Sequence, residues 1–167
     1  MARSARFLRH VVTDHYSVRR IFSADALARI ERAIADAEQT HGGQIVFAVE
    51  SALPLARVHR DVTPRQRALE AFGLLKVWDT EHNNGVLFYV SLAEHRIEIV
   101  ADRGIAARVT SAEWDAICAR MRECFAAGQW RTGSLDGIAA AHALLRQHFP
   151  ADDDASRGEL SDRPVLL

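Results

Sequence analysis

The sequence predicts an α/β protein: a three-layer α/β/α sandwich whose mixed sheet combines a β-α-β unit with an antiparallel hairpin, with helices on both faces. Three observations predict it. The run QIVFAV at 44–49 is continuously apolar and rich in β-formers, as a strand buried on both faces requires. Residues 86–101 hold two more such runs, joined by Leu92 to His95. So short a link makes them an antiparallel hairpin, because a parallel return needs a long crossover. Around these runs, apolar residues recur at helical spacing.

The first well-marked helix runs from Ala24 to about Thr40, with Ser23 as N-cap and Phe22 placed to staple onto Leu27. Leu27, Ile30, Ile34 and Ala37 share one face, and His41-Gly42-Gly43 stops the helix. The strand at 44–49 follows, then a loop over 51–61. Thr63 and Gln66 form a capping box with Pro64 at the first helical position, and Ala68, Leu69, Phe72 and Leu75 give that helix its inner face. The strand, this helix and the strand from Val86 make a right-handed β-α-β unit. Thr110 and Glu113 form a second capping box, ahead of a stripe of Trp114, Ile117, Cys118, Met121 and Phe125 that Gly128 closes. Ser134 opens the last helix, which carries Leu135, Ile138, Leu145 and Phe149 inward until Pro150. His142 lies near that inner face and reads as a satisfied core histidine.

Composition bounds the function. A chain of 167 residues with 49% hydrophobic and 26% charged content is one soluble domain with room for a core. The net charge of −1 gives no footprint for nucleic acid. No apolar run approaches the ~20 residues of a membrane span, and the N-terminus lacks the apolar stretch of a secretory signal. The chain therefore reads as cytoplasmic and not as an integral membrane protein. Cys118 and Cys124 fit neither a zinc pair nor a redox pair, and on one helix they diverge by about 120°.

Charge divides the chain into a basic head at 1–21, a domain at 22–150 and an acidic tail at 151–167. The head carries Arg3, Arg6, Arg9, Arg19 and Arg20 against Asp14, and the tail holds Asp152, Asp153, Asp154, Glu159 and Asp162. The plain reading is two solvated termini; the sharper one docks the head on the tail or on an anionic membrane surface.

No nucleophile elbow, P-loop, dinucleotide fingerprint, HExxH or EF-hand loop is present. The chemistry-bearing residues instead gather around the hairpin. Asn84 enters one strand and Ala101 leaves its antiparallel neighbour, so Asp79, Glu81 and Asp102 lie at one edge of the sheet, with Asn83 and Asn84 supplying amide oxygens. Such oxygens suit calcium or magnesium, and a metal there would polarise a phosphoryl oxygen or activate water. The bland alternative makes Asp79 a helix end and Asp102 a turn cap. Glu38 and His41 share a helix face near the first strand, and Glu50 closes that strand at the carboxyl end, where ligands of parallel units gather. Glu38 and His41 lie near the start of that strand, so the second candidate site, at the end of the sheet opposite Asn84 and Asp102, is the one at Glu50.

The segments GGQIVFAVE and NNGVLFYVSLAEHRIEIVADRGI, followed by Trp114, Met121, Phe125, Gly128 and Gly133, resemble the TPM domain family, named for thylakoid-lumen and bacterial relatives and often labelled as phosphatases. With WDTEHNNGV and the ending GELSDRPVLL, the chain resembles the stand-alone soluble bacterial branch. The resemblance implies an α/β sandwich, divalent-cation binding in some members, and the weak acid phosphatase activity of a plant relative. It also implies a membrane-associated partner of the LemA type. Relatives often read Arg-Ile-Glu-x-Gly-x-Gly after the second hairpin strand. Here Glu98-Ile99-Val100-Ala101-Asp102-Arg103-Gly104 stands instead, so any site built on the family's arginine, glutamate and first glycine is altered.

Two functional readings follow. One is a non-enzymatic accessory or binding module engaging a membrane-associated partner, favoured by the missing nucleophile. The other is a divalent-cation-dependent, phosphatase-like enzyme, with Asp79, Glu81 and Asp102 as ligands and Arg103 holding a phosphate oxygen.

Overall fold

The computed structural model describes residues 2–151 and 158–167, so the acidic run 152–154 lies outside the described residues. The chain runs α1 (Ala2–Val12), α2 (His15–Ile21), α3 (Ala24–Glu38), β1 (Gln44–Glu50), α4 (Leu55–His59), α5 (Pro64–Leu74), β2 (Gly85–Ser91) and β3 (Arg96–Ala101). It continues with α6 (Arg103–Ala106), α7 (Ser111–Ala126), α8 (Trp130–His148) and β4 (Val165–Leu166). The sheet order is β3-β2-β1-β4, with β1 and β2 parallel and β2 and β3 antiparallel. The expected mixed sheet is the observed one.

Every residue of β1 and β2 is buried, as their unbroken apolar runs require. The strand period of two sorts their side chains between two cores. Ile45, Phe47, Val49, Val86, Phe88, Val90, Ile97 and Ile99 face α3, α7 and α8. Val46, Ala48, Leu87, Tyr89 and Val100 face α5 together with Leu160, Val165 and Leu167 of the tail. Helices thus cover both faces.

Both capping boxes form, at Thr63–Gln66 and Thr110–Glu113. The stripe from Trp114 to Phe125 is buried throughout, and Gly128 ends α7 at φ 75°. The two cysteines are free, and burial pushes the Cys118 thiol up to about 11.

Four expectations change. The loop after β1 contains α4, which packs against α1. Leu69 is exposed on α5, whose inner face carries Arg67, Ala68 and Ala71, with the expected Phe72 and Leu75 packed on the same core; Arg67 turns inward to a buried carboxylate. The last helix begins at Trp130, so Ser134 is an interior position whose hydroxyl donates to the Trp130 carbonyl. The tail from 158 onward packs on the sheet. Its Leu167 N–H donates to the Val49 carbonyl and its Leu160 N–H to the Gln44 side-chain oxygen.

Candidate functional site

The rim where β2 begins and β3 ends is built by backbone. The Asp102 N–H donates to the Gly85 carbonyl, and Val77 approaches so closely that a Cβ on Gly85 would lie 2.0 Å from its carbonyl oxygen. Asp102 caps α6, one carboxylate oxygen accepting from the Arg103 N–H at 2.7 Å. Its other oxygen, Oδ2, is buried and without a hydrogen-bond partner among the described residues. The Asn84 side chain is likewise buried: its Nδ2 donates to the Gly42 carbonyl, and its Oδ1 has no donor among the described residues. Asn83, held at φ 53°, accepts from Arg103 Nε at 2.8 Å through Oδ1.

Asp79 and Glu81 stand exposed on the turn before β2, and the Glu81 N–H donates to a carboxylate oxygen of Glu159 at 2.9 Å. No group of three His, Cys, Asp or Glu side chains placed to hold a metal occurs among the described residues. The expected convergence of Asp79, Glu81 and Asp102 therefore does not occur. The physical reason is local: Asp102 turns back onto its own helix, while the other two carboxylates remain in water.

At the opposite end, Glu50 is buried and completely engaged. Arg67 grips it through Nε and Nη2 at 2.8–3.0 Å, and the Tyr89 hydroxyl donates to its Oε2. Burial, followed by the Glu50 charge, raises the Tyr89 phenol, while the Glu50 hydrogen bonds raise Arg67. Every strong partner of this carboxylate is internal, so it is an anchor joining α5 to the sheet.

Glu38 and His41 precede β1, at the end of the strand away from Glu50, and each has its own partners. Glu38 accepts from the Ile45 N–H at 2.7 Å; burial, aided by Asp162, pushes its carboxyl up to about 8. His41 stacks on His142 with ring centroids 4.8 Å apart. The Gly43 N–H donates to His41 Nδ1, which puts the His41 proton on Nε2, facing His142 Nδ1 at 2.5 Å. The His142 proton then sits on its own Nε2, which is buried without a hydrogen-bond partner among the described residues. Burial lowers His41 to about 4, and burial with the His41 charge lowers His142 to about 3. This is a neutral core pair.

A further cluster has no counterpart in the sequence reading. Arg6 and His10 of α1 converge on Glu94 in the β2–β3 turn, with Arg6 Nε at 2.7 Å and His10 Nε2 at 2.8 Å from one oxygen. The Leu53 N–H donates to His10 Nδ1 at 3.0 Å, so the imidazole donates to Glu94 from Nε2. Burial alone would raise the Glu94 carboxyl; Arg6 and His10 outweigh it and hold it below its usual value.

Residues 16–144 match the TPM domain. The chain belongs to the TPM domain family. Among solved structures, it resembles the BA42 protein of the psychrophilic bacterium Bizionia argentinensis, with 29% identity and a TM-score of 0.76, covering 87% of this chain and 94% of that one. Two N-terminal domains share the fold. One, from P. gingivalis, has 16% identity and a TM-score of 0.62, covering 78% and 82% of the two chains. The other, from the cg2496 protein of Corynebacterium glutamicum, has 14% identity and a TM-score of 0.57, covering 82% and 81%. No curated protein matches the chain.

In this TPM domain no described helix is long and apolar enough to cross a membrane. The signals for its internal anchors were present but indirect. A glutamate ending a fully buried strand demands a cation, and Arg67 is the cation one helix away. Nothing local marked Glu94, because its partners lie more than eighty residues away.

Proposed function

We propose that this TPM domain is a non-enzymatic binding module that docks on an anionic membrane surface through α1. One observation carries the reading: α1 is attached to the fold by its polar side. Arg6 and His10 face Glu94, while Phe7, Leu8, Val11 and Val12 project into solvent. A surface helix ordinarily does the reverse. Leu8 is 59% and Val12 65% exposed, and Tyr16 of α2 reaches 84%. Arg9 on the same helix, and Arg19 and Arg20 on α2, are exposed, with no ion-pair partner among the described residues. An apolar stripe flanked by arginine matches the headgroup boundary of an anionic bilayer.

Size favours lipid over a stable protein interface. An 11-residue helix offers a face on the order of 200 Å², against ~800 Å² per partner in standard interfaces. A LemA-type membrane protein, the partner implied by the family resemblance, would meet the domain at that surface. A cytoplasmic location would set α1 against the anionic leaflet. The titrating groups support a non-enzymatic role, since Glu50, Glu94, His10, His41 and His142 are each engaged by other side chains inside the fold.

Co-sedimentation with phosphatidylcholine vesicles, with and without phosphatidylserine, tests the reading. The protein is expected to pellet only with the anionic vesicles and to be released by salt. Leu8→Asp with Val12→Asp should abolish pelleting without moving the melting temperature. Equal pelleting with both vesicle types, or none with either, would sink it.

A second reading rests on the two orphaned oxygens, Asn84 Oδ1 and Asp102 Oδ2. Buried oxygens without donors fit a hard cation such as calcium or magnesium, which would neutralise them and stiffen the rim. Asp102 would be the charged ligand and Asn84 a neutral one. The metal-dependent phosphatase alternative requires this cation. After chelation, added calcium or magnesium should raise the melting temperature of the wild type but not of Asp102→Asn. Identical responses would return Asp102 to its capping role alone.

A further inference from the structure

A hollow of about 520 Å³ opens beside the β2–β3 turn, at the end of the sheet away from the rim. It falls within the range of small-molecule sites, ~300–1,000 Å³. Its position is where parallel strands present their carboxyl ends, the usual address for ligands in α/β sheets. The floor is apolar: Val90, Ile97, Phe125 and Trp130 line it, the two aromatic rings packing with centroids 4.5 Å apart.

The mouth carries charge of a single sign. Arg96 and Arg122 line it, with His95 beside them, and no carboxylate does. Both arginines are exposed, and neither guanidinium has an ion-pair or hydrogen-bond partner among the described residues. That distinguishes them from Arg6, Arg29, Arg57, Arg65, Arg67 and Arg131, each of which faces a carboxylate. The carboxylate on the turn itself is already engaged. Glu94, on that turn, is held by Arg6 and His10. The same contacts fix the turn, which His95 bends at φ 52°. The mouth is therefore positive, its turn is anchored, and its floor is apolar and aromatic.

We propose that this hollow binds a small organic anion, with an acyl or aromatic body on Phe125 and Trp130 and a carboxylate or phosphate head between Arg96 and Arg122. The guanidinium fork suits either head group, since both present paired oxygens to its N–H groups. The aromatic floor removes the body from water. Neither the cation at the rim nor the membrane face of α1 is needed for this binding, so the site is tested independently of both.

The experiment is calorimetric titration of the full chain with octanoate, with phenyl phosphate and with octanol. At least one of the two anions should bind, and octanol should bind at least about tenfold more weakly than octanoate or not at all. Arg96→Met and Arg122→Met should each weaken anion binding about tenfold. Neither should shift the melting temperature, because both side chains are exposed. Binding of octanoate alone assigns a carboxylate head, and binding of phenyl phosphate alone assigns a phosphate head. The proposal is overturned if neither anion binds, if octanol binds as tightly as octanoate, or if both arginine variants bind like the wild type. The comparison of octanoate with octanol on the wild type stands even where a variant fails to fold.

Discussion

Glu50 ends β1 inside the core, where a lone carboxylate would be untenable, and Arg67 and Tyr89 make it tolerable. Removing Arg67 leaves a buried charge without its cation, so Arg67→Ala should lose about 3–5 kcal/mol in urea unfolding. Replacing Glu50 by leucine, Arg67 by methionine and Tyr89 by phenylalanine together should restore most of that loss. The pH dependence also belongs to single residues. Glu38 stays protonated in the fold up to about 8 but ionises at about 4.5 once unfolded, so its contribution is present below 4.5 and lost as pH rises toward 8. His41 and His142 stay neutral down to about 4 and 3, whereas the unfolded imidazole protonates near 6.5. Their contribution is therefore lost as pH falls below 6.5. Glu38→Gln should flatten the alkaline slope, and His142→Phe the acid slope, in unfolding measured at pH 4.5, 6.5 and 8. Unchanged slopes would show that other groups set the pH profile.

Elements were legible where their signals are local. Capping boxes, the Gly128 stop and the tight β2–β3 turn act over a few residues, and they form where the sequence places them. α4 was not legible: its five residues have no side-chain cap, and the helix packs against α1, far away in the sequence. The start of α8 was misplaced for a related reason. Ser134 is a plausible cap by type, yet tertiary packing carries the helix back to Trp130. Gly133 and Gly137, one turn apart, are what let α8 lie on α7. A Cβ on Gly133 would come within 2.6 Å of Cys124 Cβ, and one on Gly137 within 2.4 Å of Met121 Sδ. Gly137→Val should therefore cost about 1–3 kcal/mol by overpacking. Because the methionine end is flexible, Met121→Ala in the same chain should recover part of it. A melting temperature equal to that of the wild type would show that the helices separate freely.

For the whole molecule, the tail is the element whose role only the assembled sheet reveals. β4 is two residues long, parallel to β1, and brings Leu160, Val165 and Leu167 onto the face that α5 covers only in part. Deleting 158–167 should uncover β1 on that side and cost about 3 kcal/mol, roughly 1 kcal/mol for each of these three half-buried aliphatic side chains. An undiminished melting temperature would make the tail dispensable to the fold.

The residue pattern by itself determined the α/β/α sandwich, the hairpin, the β-α-β unit and the family, because strand burial, helix periodicity and capping are written in adjacent residues. It also marked Asn84 and Asp102 as members of one edge, since antiparallel register follows from the length of the turn. Only the tertiary structure decided which charged groups are engaged. Whether Glu94 meets Arg6, whether Glu50 meets Arg67, and whether Arg96 and Arg122 lack a partner among the described residues depends on contacts between distant segments. The same holds for α1, which the residues marked only as part of a basic head and whose polar side binds the β2–β3 turn. Charges and helix faces are chosen by what lies opposite them, and what lies opposite is a property of the folded chain.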